Sequence, residues 1–168
     1  MSDALPRGAR LGIDVGSVRV GLASSDPDGL VATPVETLAR DGGHADGTVP
    51  ADLVRIASEV GERSASVVYV GLPRHLKGTE GAAAEAARSY AERLASLVAP
   101  VEVRLVDERM TSVSAHQALH ASGRTGRKHR AVVDQVAAVI ILQTALDGER
   151  ASARRPGILV DVPAPTDD

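Results

Sequence analysis

The sequence predicts an α/β fold, built on a mixed five-stranded sheet with helices packed on its faces. Three observations carry this. The chain opens with a meander of short apolar strands, strand and helix patterns then alternate, and the run VVYVGL has strand length and is apolar throughout. Alternation of that kind makes the later part of the sheet parallel and sends helices across its faces.

Taken in order, residues 10–25 read as a hairpin with Gly16 near its turn. LVATPVETL, residues 30–38, is a third short strand, and Pro34 favours an edge position because it cannot donate to a ladder. ARDGGHADGT, residues 39–48, has the composition of a loop. Pro50 opens a helical pattern with Leu53, Ile56 and Val60 on one face and Gly61 just beyond. VVYVGL, residues 67–72, is a central strand covered on both faces. Ala83, Ala87, Tyr90, Leu94 and Leu97 then recur at helical spacing. VEVRLV, residues 101–106, is the fifth strand, with DER at its carboxyl end. A helix is expected from about Thr111 to Ser122, stopped by Gly123. GRTGRKHR is basic and reads as irregular, and a last helix runs from near Val132 to Leu146. The folded domain is thus expected over 10–147, between a flexible N-terminus (1–9) and a largely disordered tail (148–168) in which GILVDV could dock locally.

Composition narrows the function classes. The chain has no Cys, which excludes disulfides and thiolate metal sites and fits a cytoplasmic protein. It has no Phe and no Trp, only Tyr69 and Tyr90, so stacking of bases on aromatic rings is almost unavailable. No run approaches the roughly 18 apolar residues of a membrane span, and MSDALPRGAR lacks a secretory signal's apolar centre. The net charge of −3 argues against a nonspecific polyanion binder, but basic loops sit beside the acids discussed next.

Three acids occupy positions that their surroundings do not explain. Asp14 lies inside the apolar run LGIDV, where a carboxylate loses hydration and needs a partner. Glu108 follows the fifth strand, with Asp107 beside it as a further candidate. Asp134 heads a helix face continued by Ala138, Ile141 and Ala145. Each has a plain alternative: Asp134 could complement the helix dipole, Glu108 could pair with Arg109, and Asp14 could bond the turn backbone. Taken together, the three favour a shared cation. Carboxylates gathered at the carboxyl ends of strands repel unless one joins them, and oxygen donors suit Mg²⁺ or Mn²⁺. Two such ions would clamp the attacking and leaving oxygens of a phosphodiester displacement, with no protein nucleophile.

GIDVGSVRVGLASSD, VGLPRHLKGTEG, VDERMTSVSA and VDQVAAVIILQ together resemble the YqgF family, also called RuvX-like, over about residues 10–146. Its members are described as pre-16S ribosomal RNA nucleases and as Holliday junction resolvases. The resemblance implies a ribonuclease H-like fold with helices on both faces, and Asp14, Glu108 and Asp134 as catalytic, metal-holding acids. Tyr90 stands where the family often has Phe, and Ala145 where it often has an aromatic residue.

Phosphate contacts are expected from Arg124, Arg127, Lys128 and Arg130 of the basic segment, from Arg19 and Arg109, and from Arg74 and Lys77 of PRHLKG. His116 and His120 have helical zinc spacing but no third ligand, and GLPRHLKGTEG lacks the Gly-Lys-Ser/Thr ending of a phosphate-binding loop. The expected partner is structured RNA or branched DNA, and the expected state is a monomer or homodimer. GIDVGS also resembles the first phosphate segment of actin-like kinases, but 168 residues leave no room for their second lobe. A noncatalytic nucleic-acid adaptor would have no use for three such acids.

Overall fold

A computed structural model of the chain describes residues 4–42, 46–73, 81–107 and 126–162, with side chains of the last helix described from Gln135 onward. The element order is β1 (Arg10–Val15), β2 (Arg19–Ser25), β3 (Ala32–Ala39), α1 (Ala51–Glu62), β4 (Val67–Leu72), α2 (Ala82–Val98), β5 (Glu102–Asp107), α3 (Gly126–Ser152) and β6 (Ile158–Leu159). The sheet order is β3-β2-β1-β4-β5-β6. β1, β2 and β3 form the expected antiparallel meander, β4 and β5 continue parallel to β1, and β6 returns antiparallel on the far edge.

Strand alternation divides the core into two layers. Leu11 and Ile13 of β1, Val68, Val70 and Leu72 of β4, and Val103 and Leu105 of β5 pack under α1 and α2, against Leu53, Ile56, Tyr90 and Leu94. Val67 and Tyr69 turn to the opposite face and meet Ala138, Leu142, Ala145 and Leu146 of α3. Aliphatic side chains fill both layers. The two tyrosines are each tied down by a carboxylate: Tyr69 Oη donates to Glu149 at 2.6 Å and Tyr90 Oη donates to Asp52 at 2.7 Å. Burial, and then the neighbouring carboxylate, holds both phenols above their usual range.

β3 is the edge strand that Pro34 suggests. Leu22 pairs with Glu36 while Ala23 pairs with Pro34, so Val35 is the extra residue of a bulge. The residue that cannot donate thus sits where the ladder is already interrupted. In the β2–β3 turn the Asp26 carboxylate accepts the backbone N–H groups of Asp28, Leu30 and Val31. The Val31 bond foremost keeps its pKa below the ordinary carboxylate value.

Four expectations need correction. The sheet has six strands rather than five, because Ile158 and Leu159 pair with β5. The tail from 148 is ordered as far as 162. Its cause is a buried ionic cluster: Glu149 accepts from Arg10 Nε at 3.1 Å and from Arg155 Nη1 at 3.1 Å, besides Tyr69. Residues 4–9 also join the fold: Ala9 is buried and Gly8 N–H donates to Pro27 O at 2.9 Å. Finally, α3 begins at Gly126, not near Val132, so Arg127, Lys128 and Arg130 stand in its first turns rather than in an irregular segment. Lys and Arg are good helix formers, and once a long helix is nucleated each further residue adds cheaply.

Candidate active site

Glycine at position 12 sets how α3 lies on the sheet. A Cβ there would stand 2.6 Å from Leu142 Cβ and 2.9 Å from Ala138 O, so only glycine lets the helix approach this closely. α3 crosses β1 in the reverse direction. Its Glu149 meets Arg10 at the amino end of the strand, and its Leu142 and Ala138 meet Gly12 further along. From Gly12 to Asp14 is two strand residues, about 6.6 Å at roughly 3.3 Å per residue. From Ala138 back to residue 134 is four helix residues, about 6 Å at roughly 1.5 Å per residue. The main chain at 134 therefore comes level with the main chain of Asp14.

Asp14 is half-buried near the carboxyl end of β1. Alternation puts it on the face of Arg10 and Gly12, which is the face that α3 covers. Its partner across the antiparallel ladder is Gly21. Continuing the parallel register by one residue past Ile13 and Val70 brings Gly71 alongside on the other strand. Its two in-row neighbours on the adjoining strands are thus both glycine. Sequence reading places Asp14 in a fully apolar setting. The structure gives it a partly exposed one, because the strand ends one residue later.

Of the other residues singled out by sequence, Arg19 opens β2 and is half-buried. It shares its face with Gly21 and Ala23, which is the face of Asp14. Asp107 is exposed at the end of β5 and pairs with Leu72. That is one row beyond Asp14, a row whose members Val15 and Leu72 turn toward α1 and α2. Arg127, Lys128 and Arg130 continue α3 beyond residue 134, past the carboxyl end of β1. Glu108, Arg109, Arg124, Arg74, Lys77, His116, His120 and the helix expected over 111–122 lie outside the described residues. Among the described residues no three His, Asp or Glu side chains group as metal ligands. Nor is any helix long and apolar enough to cross a membrane.

Sequence reading places Gly16 near the turn but misses Arg40, which braces this end of the sheet with it. Gly16 N–H donates to Arg19 O at 2.8 Å and closes the β1–β2 turn. Arg40, just past β3, donates its backbone N–H to Val18 O at 2.9 Å and Nη1 to Gly16 O at 3.3 Å. Its guanidinium lies 5.5 Å from the centre of the Tyr90 ring. Arg40 sits in a stretch of loop composition, and nothing in its immediate neighbours signals the stacking. Arg10 and Glu149 are missed for a related reason: they lie 139 positions apart and meet only in the fold.

Fold comparison places this arrangement among known proteins. The chain superposes on Thermus thermophilus RuvC solved in complex with Holliday junction substrate, with a TM-score of 0.53 at 16% identity, covering 89% of this chain and 99% of that one. A second Thermus thermophilus RuvC structure gives a TM-score of 0.51 at 18% identity. The fold is ribonuclease H-like. Sequence comparison is more specific. Residues 8–148 match the RuvX family, described as Holliday junction resolvase. A protein of Streptomyces coelicolor named "Putative pre-16S rRNA nuclease" is 55% identical over 157 residues, covering 93% of this chain and 90% of its own. Relatives with the same name from Nocardia farcinica and Thermobifida fusca are 56% and 48% identical, covering 90% and 92% of this chain and 84% and 96% of their own. The chain belongs to the RuvX family.

Proposed function

We propose that this chain is a metal-dependent endonuclease that processes structured RNA, with the 5′ end of precursor 16S ribosomal RNA as its substrate. One observation carries the reading. A half-buried carboxylate, Asp14, stands near the carboxyl end of β1 on the face that α3 covers. Ligands of α/β sheets gather at that end. The relatives named for pre-16S rRNA support the choice of substrate, and the reading places the protein in the cytoplasm, where such precursors arise.

Asp14 suits a hard divalent ion: it is an oxygen donor, partly withdrawn from water. Asp14, Glu108 and Asp134 would hold Mg²⁺ or Mn²⁺, whereas Asp107 stands in the row that turns to the other face of the sheet. When bound, such ions lower the pKa of water and neutralise charge that develops on phosphate oxygens. The chain's own part is to fix these acids on a rigid sheet and helix and to orient the backbone of the nucleic acid. Arg19 is placed for that on the face of Asp14, and Arg127, Lys128 and Arg130 on the first turns of α3, with Arg74, Lys77, Arg109 and Arg124 as further phosphate contacts. Hydrolysis adds a water oxygen to phosphorus and breaks the bond to the 3′ oxygen, which leaves as a hydroxyl. No covalent enzyme intermediate is required.

A four-way DNA junction is the second reading, favoured by the family's description and by the junction-bound RuvC. Symmetric cutting of two strands would need a twofold dimer, whereas RNA processing works equally in a monomer. The test is cleavage by purified protein of a labelled precursor 16S RNA 5′ fragment and of a mobile four-way junction, in Mg²⁺, Mn²⁺ or EDTA. Asp14→Asn and Asp134→Asn are expected to lose at least 100-fold in rate, the order by which removing a group that stabilises the transition state slows catalysis, without a change in melting temperature. Cutting of RNA alone supports the processing role, and paired symmetric nicks move the substrate to the junction. Metal-independent cutting, or full activity in both variants, overturns the mechanism.

A further inference from the structure

Val18 is 64% exposed, more than any other large apolar residue described, and it stands at the tip of the β1–β2 hairpin. It contributes nothing to either core layer, yet the backbone around it is held firmly. Gly16 N–H closes the turn onto Arg19 O. Arg40 grips both sides of the tip through Val18 O and Gly16 O. Arg40 in turn rests on Tyr90, whose hydroxyl is bonded to the buried Asp52. A Cβ on Gly16 would lie 2.7 Å from Arg19 O, so the tight turn needs glycine there. The result is an exposed apolar side chain on a braced support, four residues after Asp14 and two to three rows of the hairpin beyond it, roughly 7–10 Å along the strand direction.

The charges beside it define what it meets. Arg19 flanks Val18 on the face of Asp14, and the Arg40 guanidinium lies beneath the turn with further N–H donors beyond the one given to Gly16. Two acids near the tip accept hydrogen bonds toward α1 and α2: Asp41 accepts the Ala51 N–H that starts α1, and Asp52 accepts from Asp41 N–H and Tyr90. An apolar tip between two guanidinium groups, continuous with a phosphodiester-cutting site, fits a strand of nucleic acid. We propose that Val18 packs against the sugar and base edge of a nucleotide next to the scissile phosphate, while Arg19 and Arg40 meet the adjoining phosphates. This rests on the nuclease reading above and names the part of the chain that seats the substrate.

Val31 supplies an internal control. It is 59% exposed, but it lies in the β2–β3 turn at the opposite end of the same hairpin strand. Steady-state cleavage of the labelled RNA and of the junction would be compared for the wild type, V18A, V18D and V31A, with sedimentation velocity and thermal melts on each. V18A is expected to raise KM roughly five- to tenfold, the effect of losing one or two buried methyl groups. It should leave kcat and the melting temperature unchanged. V18D, which opposes the phosphates, is expected to raise KM further, and V31A to match the wild type. An active wild type with V18A and V31A both indistinguishable from it overturns this surface alone. A V18A variant that changes sedimentation but not KM overturns it too, in favour of a contact between copies of the chain. A wild type that neither cuts nor binds either substrate removes the nuclease reading, and this inference with it.

Discussion

Glu59 shows how one side chain ties the sheet edge to a helix. It is buried on α1 with Arg55 four residues before it and Arg63 four residues after it, and both make ion pairs to it. Arg55 also reaches Glu36 of β3 at 3.3 Å, and Arg63 donates to Ser24 Oγ of β2 at 3.0 Å. The hydrogen bond from Arg63, followed by that from Arg55, holds the Glu59 carboxyl below its ordinary value of 4.5. The folded state therefore takes up this proton less readily than the unfolded state. The contribution is complete above about pH 4.5 and disappears as the pH falls through the lower folded value. Urea denaturation at a series of pH values should show stability declining on the acid side. In Glu59→Gln that decline should be shallower and the stability at pH 7 lower. An acid limb unchanged in the variant would assign the acid sensitivity to other carboxylates.

At the scale of elements, the consequential contact is α3 lying on β1 at Gly12. Gly12→Ala would force a methyl group against Leu142 and Ala138. The expected cost is about 1–3 kcal/mol, the usual penalty for overpacking a filled core, read as a lower urea midpoint with an unchanged slope. Because residue 134 is placed by this same contact, cleavage should fall by more than the loss of folded protein accounts for. Equal losses in both would mean that the helix re-seats without disturbing the acids. Elements of this kind are where sequence and structure agree best. VVYVGL reads as a central strand because it is an unbroken apolar run, and the face of α1 reads from its 3.6-residue spacing. On α2, Ala87, Tyr90 and Leu94 are buried as expected, but Ala83 and Leu97 are exposed and Ala84, Ala91 and Val98 are buried in their stead. Pro34 marks an edge through its missing donor. The start of α3 is not legible in the same way: GRTGRKHR has the charge of a solvated loop, and only the length of the helix that follows carries it back to Gly126. Of the site, Asp14 is legible as a charge out of place in an apolar strand. The glycines on either side of it gain their meaning only from strand pairing, which no local pattern encodes. Arg40 is hidden because its partner, Tyr90, is fifty residues away.

For the whole molecule, the buried cluster of Arg10, Glu149, Tyr69 and Arg155 closes the end of the sheet away from Asp14. It joins the first strand, the central strand, the last helix and the tail. Composition alone reads that tail as disordered, because three prolines and two terminal acids say nothing of an arginine reaching a glutamate in the helix before it. Ending the chain after Ser152 removes Arg155, β6 and the buried Val160. It should cost about 3–5 kcal/mol, the range for breaking a buried ion pair by taking away one partner. Chemical denaturation of the shortened protein checks this, and stability equal to that of the full chain would show the tail to be an appendage.

The same cluster brings two distant stretches of backbone side by side, since Arg155 also donates to Pro6 O at 3.4 Å. Entry to the fold and exit from it share one pole, and the proposed chemistry has the other. An affinity handle, a fluorophore or a surface tether joined near either stretch would project away from the rim where a strand of nucleic acid is to be seated. A short peptide bridging the two, with new ends opened elsewhere, would ask little of the sheet between them.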